Sequence, residues 1–86
     1  MSRNYDDPVY KKFRKSVRNR DKKCRWPNCK KRRGLQVHHI FTWKHYPHLR
    51  YEISNGITLC KQHHKAIKGQ ESNYIKLFID IIKNGT

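Results

Sequence analysis

Apolar residues recur at helical spacing near both ends of the chain and alternate in the middle. Val9, Phe13 and Val17 fall at i, i+4 and i+8, a narrow stripe on a predicted helix whose other positions hold Lys11, Lys12, Arg14, Lys15 and Arg18. Asp7 is its expected N-cap and Pro8 its first helical residue, where a missing N–H costs nothing. The stretch Arg20 to Gly34 reads as a loop. Leu35 to Ile40 then alternates as a short strand, with Leu35 and Val37 on the face opposite Gln36 and His38. Phe41 to Ser54 is a long aromatic and basic loop carrying Trp43, His45, Tyr46, Pro47, His48 and Tyr51, and Asn55-Gly56 is a turn signal before a second strand, Ile57 to Cys60. Lys61 to Lys68 forms a short helix ended by Gly69. Tyr74, Leu77, Phe78, Ile81 and Ile82 mark an amphipathic helix over Ser72 to Lys83, closed by Asn84-Gly85 and expected to pack on the core. The pattern predicts a small α+β domain without internal repeats.

Composition adds a constraint on stability and a class of partner. The 86 residues include 21 Lys or Arg against 6 Asp or Glu, a formal charge of +15, and only 35% are hydrophobic. A single domain of this size buries only about 60% of the surface its unfolded chain exposes, so it needs a staple. A large cofactor cavity or a multidomain enzyme is excluded. No apolar run nears the roughly 20 residues of a membrane span and no hydrophobic signal follows Met1, so a soluble intracellular protein is expected. A charge this positive suits a polyanion, because each Lys or Arg on a phosphate releases a condensed counterion. Solubility alone is the bland alternative. An anionic membrane surface ranks below nucleic acid, since the basic residues do not form the polar face of one continuous helix.

The cysteines supply the staple. Cys24, Cys29 and Cys60 are odd in number and cannot form a closed disulfide framework. Cys24 and Cys29 bracket Arg-Trp-Pro-Asn, a turn that lets two thiolates converge, and Cys60 is followed three positions later by His63. Two such half-sites are the usual sequence form of a structural tetrahedral zinc, here Cys3His. Thiolate ligation favours Zn2+ over magnesium or calcium. Small buried apolar cysteines are the alternative, and the double pairing weighs against it.

Four of the six histidines come as the adjacent pairs His38-His39 and His63-His64. Neighbours on a strand face opposite ways, so His38 and His39 have different tasks: one can hold a metal while the other meets substrate. Asn55 lies between the pairs, where its side chain can reach back across the hairpin. The segments Val37-His38-His39-Ile40, Asn55-Gly56-Ile57-Thr58-Leu59-Cys60 and Lys61-Gln62-His63-His64 together resemble the HNH endonucleases over about residues 24 to 70. Many phage and bacterial members of that family are this small.

The resemblance implies a ββα-metal core, a two-stranded hairpin plus a short helix, flanked by a basic N-terminal helix and an amphipathic C-terminal helix. The single domain 1–86 then divides into a basic arm and helix (1–23), a zinc and ββα-metal core (24–70) and a C-terminal helix (71–86). It implies a metal-dependent endonuclease that nicks one DNA strand per site, with His39 as general base. His38 and His64 become ligands of a catalytic divalent ion, Mg2+ or Mn2+, and Asn55 orients His39 or binds metal, orientation being preferred. Cys24, Cys29, Cys60 and His63 hold the structural zinc. The family's commoner Cys-x-x-Cys half-site has His63 as its second member here, so His63 and His64 could exchange roles. Where some relatives carry a further histidine ligand this chain has Lys68, which leaves two protein ligands and frees Lys68 for phosphate.

Residues 1–34 hold 14 basic and 3 acidic residues, a net of +11, against 7 and 3, a net of +4, in residues 35–86. Phosphate contacts are therefore expected from the arm and first helix (Lys11, Lys12, Arg14, Lys15, Arg18), the run Lys30, Lys31, Arg32 and Arg33, and Lys68. Trp26 and Trp43 stack on bases or pack around the zinc loop, and His45 and His48 are first loop residues and second accessory contacts. Double-stranded DNA is the expected partner, with a homodimer or a larger DNA-processing complex left open. The competing hypothesis is a non-catalytic zinc-stapled nucleic-acid-binding module or adaptor.

Overall fold

The computed structural model describes residues 6–84. Helix α1 spans Pro8–Asp21 and starts as its sequence dictates, with the Asp7 carboxylate accepting from Val9 N at 2.9 Å and Pro8 in the first turn. It ends at Lys22 in a left-handed conformation whose N–H donates to Arg18 O at 2.7 Å. Its buried residues are Tyr10, Phe13, Val17 and Asp21, while Val9 is 54% exposed. The inner stripe therefore begins at Tyr10, one position later than the aliphatic spacing indicated. Tyr10 lies about 100° around the helix from Val9 and brings a larger ring to the contact.

Strands β1 (Leu35–His39) and β2 (Gly56–Cys60) pair antiparallel, with Leu35 opposite Cys60, Val37 opposite Thr58 and His39 opposite Gly56. The Asn55-Gly56 pair is not the tight turn expected of it. Gly56 is extended (φ −107°, ψ 143°) and already belongs to β2, and residues 40–55 make the connection through short 3-10 turns at Pro47–Leu49 and Ile53–Asn55. Gly56 is required for another reason: a Cβ there would lie 2.7 Å from Val17 Cγ2 and 3.0 Å from Phe13 Cζ, where α1 crosses the strand.

Helix α2 (Lys61–Ala66) follows β2 directly, and Gly69 (φ 85°) turns the chain out of it. A 3-10 turn, Glu71–Tyr74, leads into α3 (Ile75–Asn84). The C-terminal helix so begins later than expected, and the closing Gly85 lies outside the described residues. The hairpin is covered on both sides. Tyr10, Phe13 and Val17 of α1 pack with Val37 and Trp43, while Cys24, Ile40, Ile57, Leu59, Cys60, Ile67 and Phe78 form the second cluster under α2 and α3. No helix among the described residues is long and apolar enough to cross a membrane.

A buried acid joins these layers. The Asp21 side chain is 0% exposed and accepts from Arg20 Nε and Nη2 at 2.8 Å, from Arg25 Nη1 at 2.6 Å and from Thr58 N at 2.9 Å. Arg20 continues to Ile53 O (2.8 Å) and Gly56 O (2.6 Å). Burial pushes the Asp21 carboxyl up, but the Arg20 hydrogen bond and charge and the Thr58 N–H outweigh it and hold the group below its ordinary value.

Candidate functional site

Cys24 and Cys29 sit on a knuckle closed by Cys29 N donating to Trp26 O at 2.9 Å, with Asn28 in the left-handed region (φ 67°) that asparagine tolerates. Arg25 N donates to Thr58 O at 2.9 Å and docks the knuckle on β2, bringing it to Cys60 at the strand end and His63 in the first turn of α2. The four ligand atoms of Cys24, Cys29, Cys60 and His63 lie within 4.8 Å of one another. His63 Nδ1 is 3.6 Å from Cys24 Sγ and 3.2 Å from Cys60 Sγ. Tetrahedral zinc with ordinary Zn–S and Zn–N bonds sets that S···N separation at about 3.5 Å, so the donor set fits such an ion. Burial pushes the Cys24 thiol up to about 11. At Cys60 burial also pushes upward, but the N–H groups of His63 and Gln62 and the neighbouring thiols bring the net shift below the ordinary value. Trp26 stacks on His63 with ring centres 4.9 Å apart and planes 8° apart, which assigns this tryptophan to packing.

The two paired histidines divide cleanly. His63 faces the cysteines, while the His64 ring lies 5.6 Å from that of His38 on the other side of α2. His64 Nδ1 and Gln36 Oε1 are 2.5 Å apart, and because an amide oxygen only accepts, Nδ1 is the donor of this pair. His38, 7% exposed, points toward α2 and α3 and meets Phe78 edge-on at 5.6 Å.

His39 turns to the opposite face, as strand alternation requires. Its ring stacks on Phe13 at 5.0 Å and meets Trp43 edge-on at 5.5 Å, so α1 and the long loop hold it in place. His39 Nε2 is 2.9 Å from Arg50 O, an acceptor, which puts the proton on Nε2 and the basic lone pair on Nδ1. Arg50 is fixed in turn by its Nε donating to Trp43 O at 2.7 Å and by its guanidinium 4.5 Å over the Trp43 ring. Despite facing opposite ways, His38 and His39 line one cavity of about 170 Å3 together with His64, Thr42, Trp43 and Glu71.

Asn55 acts on the loop rather than on an imidazole. Its Oδ1 accepts from Phe41 N at 2.7 Å, and its Nδ2 donates to Phe41 O at 3.0 Å and Leu49 O at 3.1 Å. The side-chain carbonyl expected to orient His39 is committed to Phe41, so Asn55 reaches His39 at one remove, by fixing Leu49 next to the Arg50 carbonyl.

Positive charge flanks the histidines. Arg14 and Arg18 line a cavity of about 300 Å3 with Gln36 and His64, and Lys61, Lys65 and Lys68 line another of about 460 Å3 with His38 and His64. Lys11, Lys12 and Lys15 are exposed on α1 and Lys30, Lys31, Arg32 and Arg33 on the loop, with Lys31 Nζ donating to Gln62 at 2.6 Å. His45 and His48 are exposed on the long loop. Lys61 and Lys65 join Lys68 here, and their spacing (i, i+4, i+7) is a usable signal in the sequence, whereas Gln36, Arg50 and Glu71 carry no such pattern and emerge only in the folded chain.

A family model described as HNH endonuclease matches residues 22–70. The chain belongs to the HNH endonuclease family. No curated protein and no solved structure matches it. The matched segment contains the Cys/His cluster, both strands, the connecting loop and α2, so the HNH fold is the hairpin and helix described above. Nucleic acid is accordingly the partner class of this HNH chain.

Proposed function

We propose that the protein is a metal-dependent DNA endonuclease that hydrolyses phosphodiester bonds, cutting one strand per active site. The observation that carries this reading is the convergence of His38, His39 and His64 on one cavity flanked by basic clefts. His39 takes the proton of the attacking water at Nδ1, and its Nε2–H stays fixed to the Arg50 carbonyl, so the ring is already in the required tautomer. His38 and His64 hold a divalent ion such as Mg2+ or Mn2+, with His64 oriented by Gln36. Such an ion, when bound, supplies Lewis-acid stabilisation of charge on the phosphoryl and leaving 3′ oxygens. Asn55 keeps the loop that carries Arg50 in register. Arg14 and Arg18 on one side and Lys61, Lys65 and Lys68 on the other hold the phosphates flanking the scissile bond. Zinc on Cys24, Cys29, Cys60 and His63 keeps the knuckle, β2 and α2 together.

Supercoiled plasmid incubated with the zinc-loaded protein and Mg2+ or Mn2+ is expected to become nicked. His39→Ala should abolish nicking while retaining zinc, fold and DNA binding. Nicking by His39→Ala at the wild-type rate would remove the base assignment. DNA binding without cleavage under any divalent ion would leave a zinc-stapled binding module.

A further inference from the structure

Glu71 stands one residue beyond the segment that matches the HNH family. It is the single acidic residue lining either of the cavities that contain both His38 and His64, and it lines both. Its place is built by the fold. Ile67, 1% exposed, anchors the end of α2, Gly69 reverses the chain, and Gln70 N donating to Ile67 O (2.8 Å) and Asn73 N donating to Gln70 O (3.0 Å) fix the turn on which Glu71 sits. Lys61, Lys65 and Lys68 line the same larger cavity, yet Glu71 takes part in none of the ion pairs found among the described residues. Glu71 is half-buried as a residue, and its carboxylate remains available to a cation in a chain of net charge +15.

Two neutral imidazoles alone make a poor site for a hard ion, which prefers carboxylate oxygen and gives up its waters reluctantly. The ligand atoms of Cys24, Cys29, Cys60 and His63 close on one point, whereas His38, His64 and Glu71 surround a cavity of about 170 Å3. At about 30 Å3 per water molecule, that space holds a cation with several of its waters. We propose that Glu71 completes the divalent-cation site of His38 and His64 by accepting hydrogen bonds from cation-bound water through its carboxylate. The inference rests on the assignment of His38 and His64 to that cation. Glu71 is the acidic wall of the site, and its charge offsets that of the ion beside three lysines.

Mn2+ binding to the zinc-loaded protein without DNA, read from the electron paramagnetic resonance of free Mn2+, separates the possibilities. Glu71→Gln is expected to weaken Mn2+ binding by about ten-fold or more with zinc content and circular dichroism unchanged, Glu71→Asp to fall between, and Glu52→Gln, an exposed acid that lines neither cavity, to have no effect. Binding by Glu71→Gln within about two-fold of wild type, alongside a loss in His38→Ala, would overturn the role of Glu71 and leave the histidine site standing. Unchanged binding in both His38→Ala and His64→Ala, or no Mn2+ binding by the wild type, would overturn the cation site and Glu71 with it.

Discussion

Asn55 and Asp21 are both buried polar residues whose value lies in having every partner present. Asn55 uses its amide to tie Phe41 and Leu49, the near and far parts of the loop that presents Arg50 O to His39. Asn55→Ala leaves buried backbone groups unsatisfied, at about 1–3 kcal/mol for each that water cannot reach. Urea unfolding should show a lower midpoint, and nicking at permissive temperature should fall through the displaced Arg50 carbonyl, with zinc content unchanged. Asp21 answers to pH. Its carboxyl is held below the ordinary value, so its contribution is complete above the unfolded pKa of about 4 and is lost as pH falls through the lower folded value. Asp21→Asn should cost about 3 kcal/mol at pH 7, because two guanidinium groups lose their counter-charge. The gap to wild type should close toward pH 2, as measured by thermal unfolding across the range. A gap that stays constant with pH would contradict the ion-pair account.

At the scale of elements, what sequence showed and what it hid divide along local and non-local physics. The start of α1 was legible because Asp7 and Pro8 act within one turn, and the half-sites Cys24/Cys29 and Cys60/His63 because each is local and the pairing of two is distinctive. The separation of His63 from His64 became visible only once β2 and α2 were placed around the knuckle. Asp21 left no trace because Arg20 and Arg25 are two among many basic neighbours in the sequence, its one hairpin partner, Thr58, is 37 residues away, and a single acid has no period. Gly56 shows the same limit more sharply. Asn-Gly is a local turn signal, but here glycine answers the close passage of α1 across β2. Gly56→Ala should therefore destabilise by about 1–3 kcal/mol through overpacking, although its backbone is extended and alanine is otherwise allowed there. Val17→Ala in the same chain removes the atom in the way. The double variant should recover part of the loss attributed to Gly56→Ala, as a thermodynamic cycle of the four proteins would show. Strict additivity would place the cost elsewhere.

For the whole molecule, the question is why so few apolar residues hold so much positive charge together. The core is split by the hairpin into two clusters, and the larger includes Cys24 and Cys60 themselves. Helix α2 has six residues, too short to persist without its neighbours, and it carries His63 toward the knuckle and His64 toward His38. A metal held by the cysteine cluster would therefore fix three things together: the knuckle on β2, the end of the larger cluster and the direction in which His64 points. Because unfolded thiols do not present a formed site, metal affinity here is folding free energy. Stripping zinc with a strong chelator should abolish the cooperative thermal transition and much of the helical circular dichroism. Stoichiometric Zn2+ should restore both, and excess Mg2+, which lacks affinity for thiolates, should not. Nicking should follow the zinc content even with Mg2+ or Mn2+ held constant. A chain that keeps its transition after zinc removal would show that the two apolar clusters suffice, and the metal would then be placing His64 rather than stapling the fold.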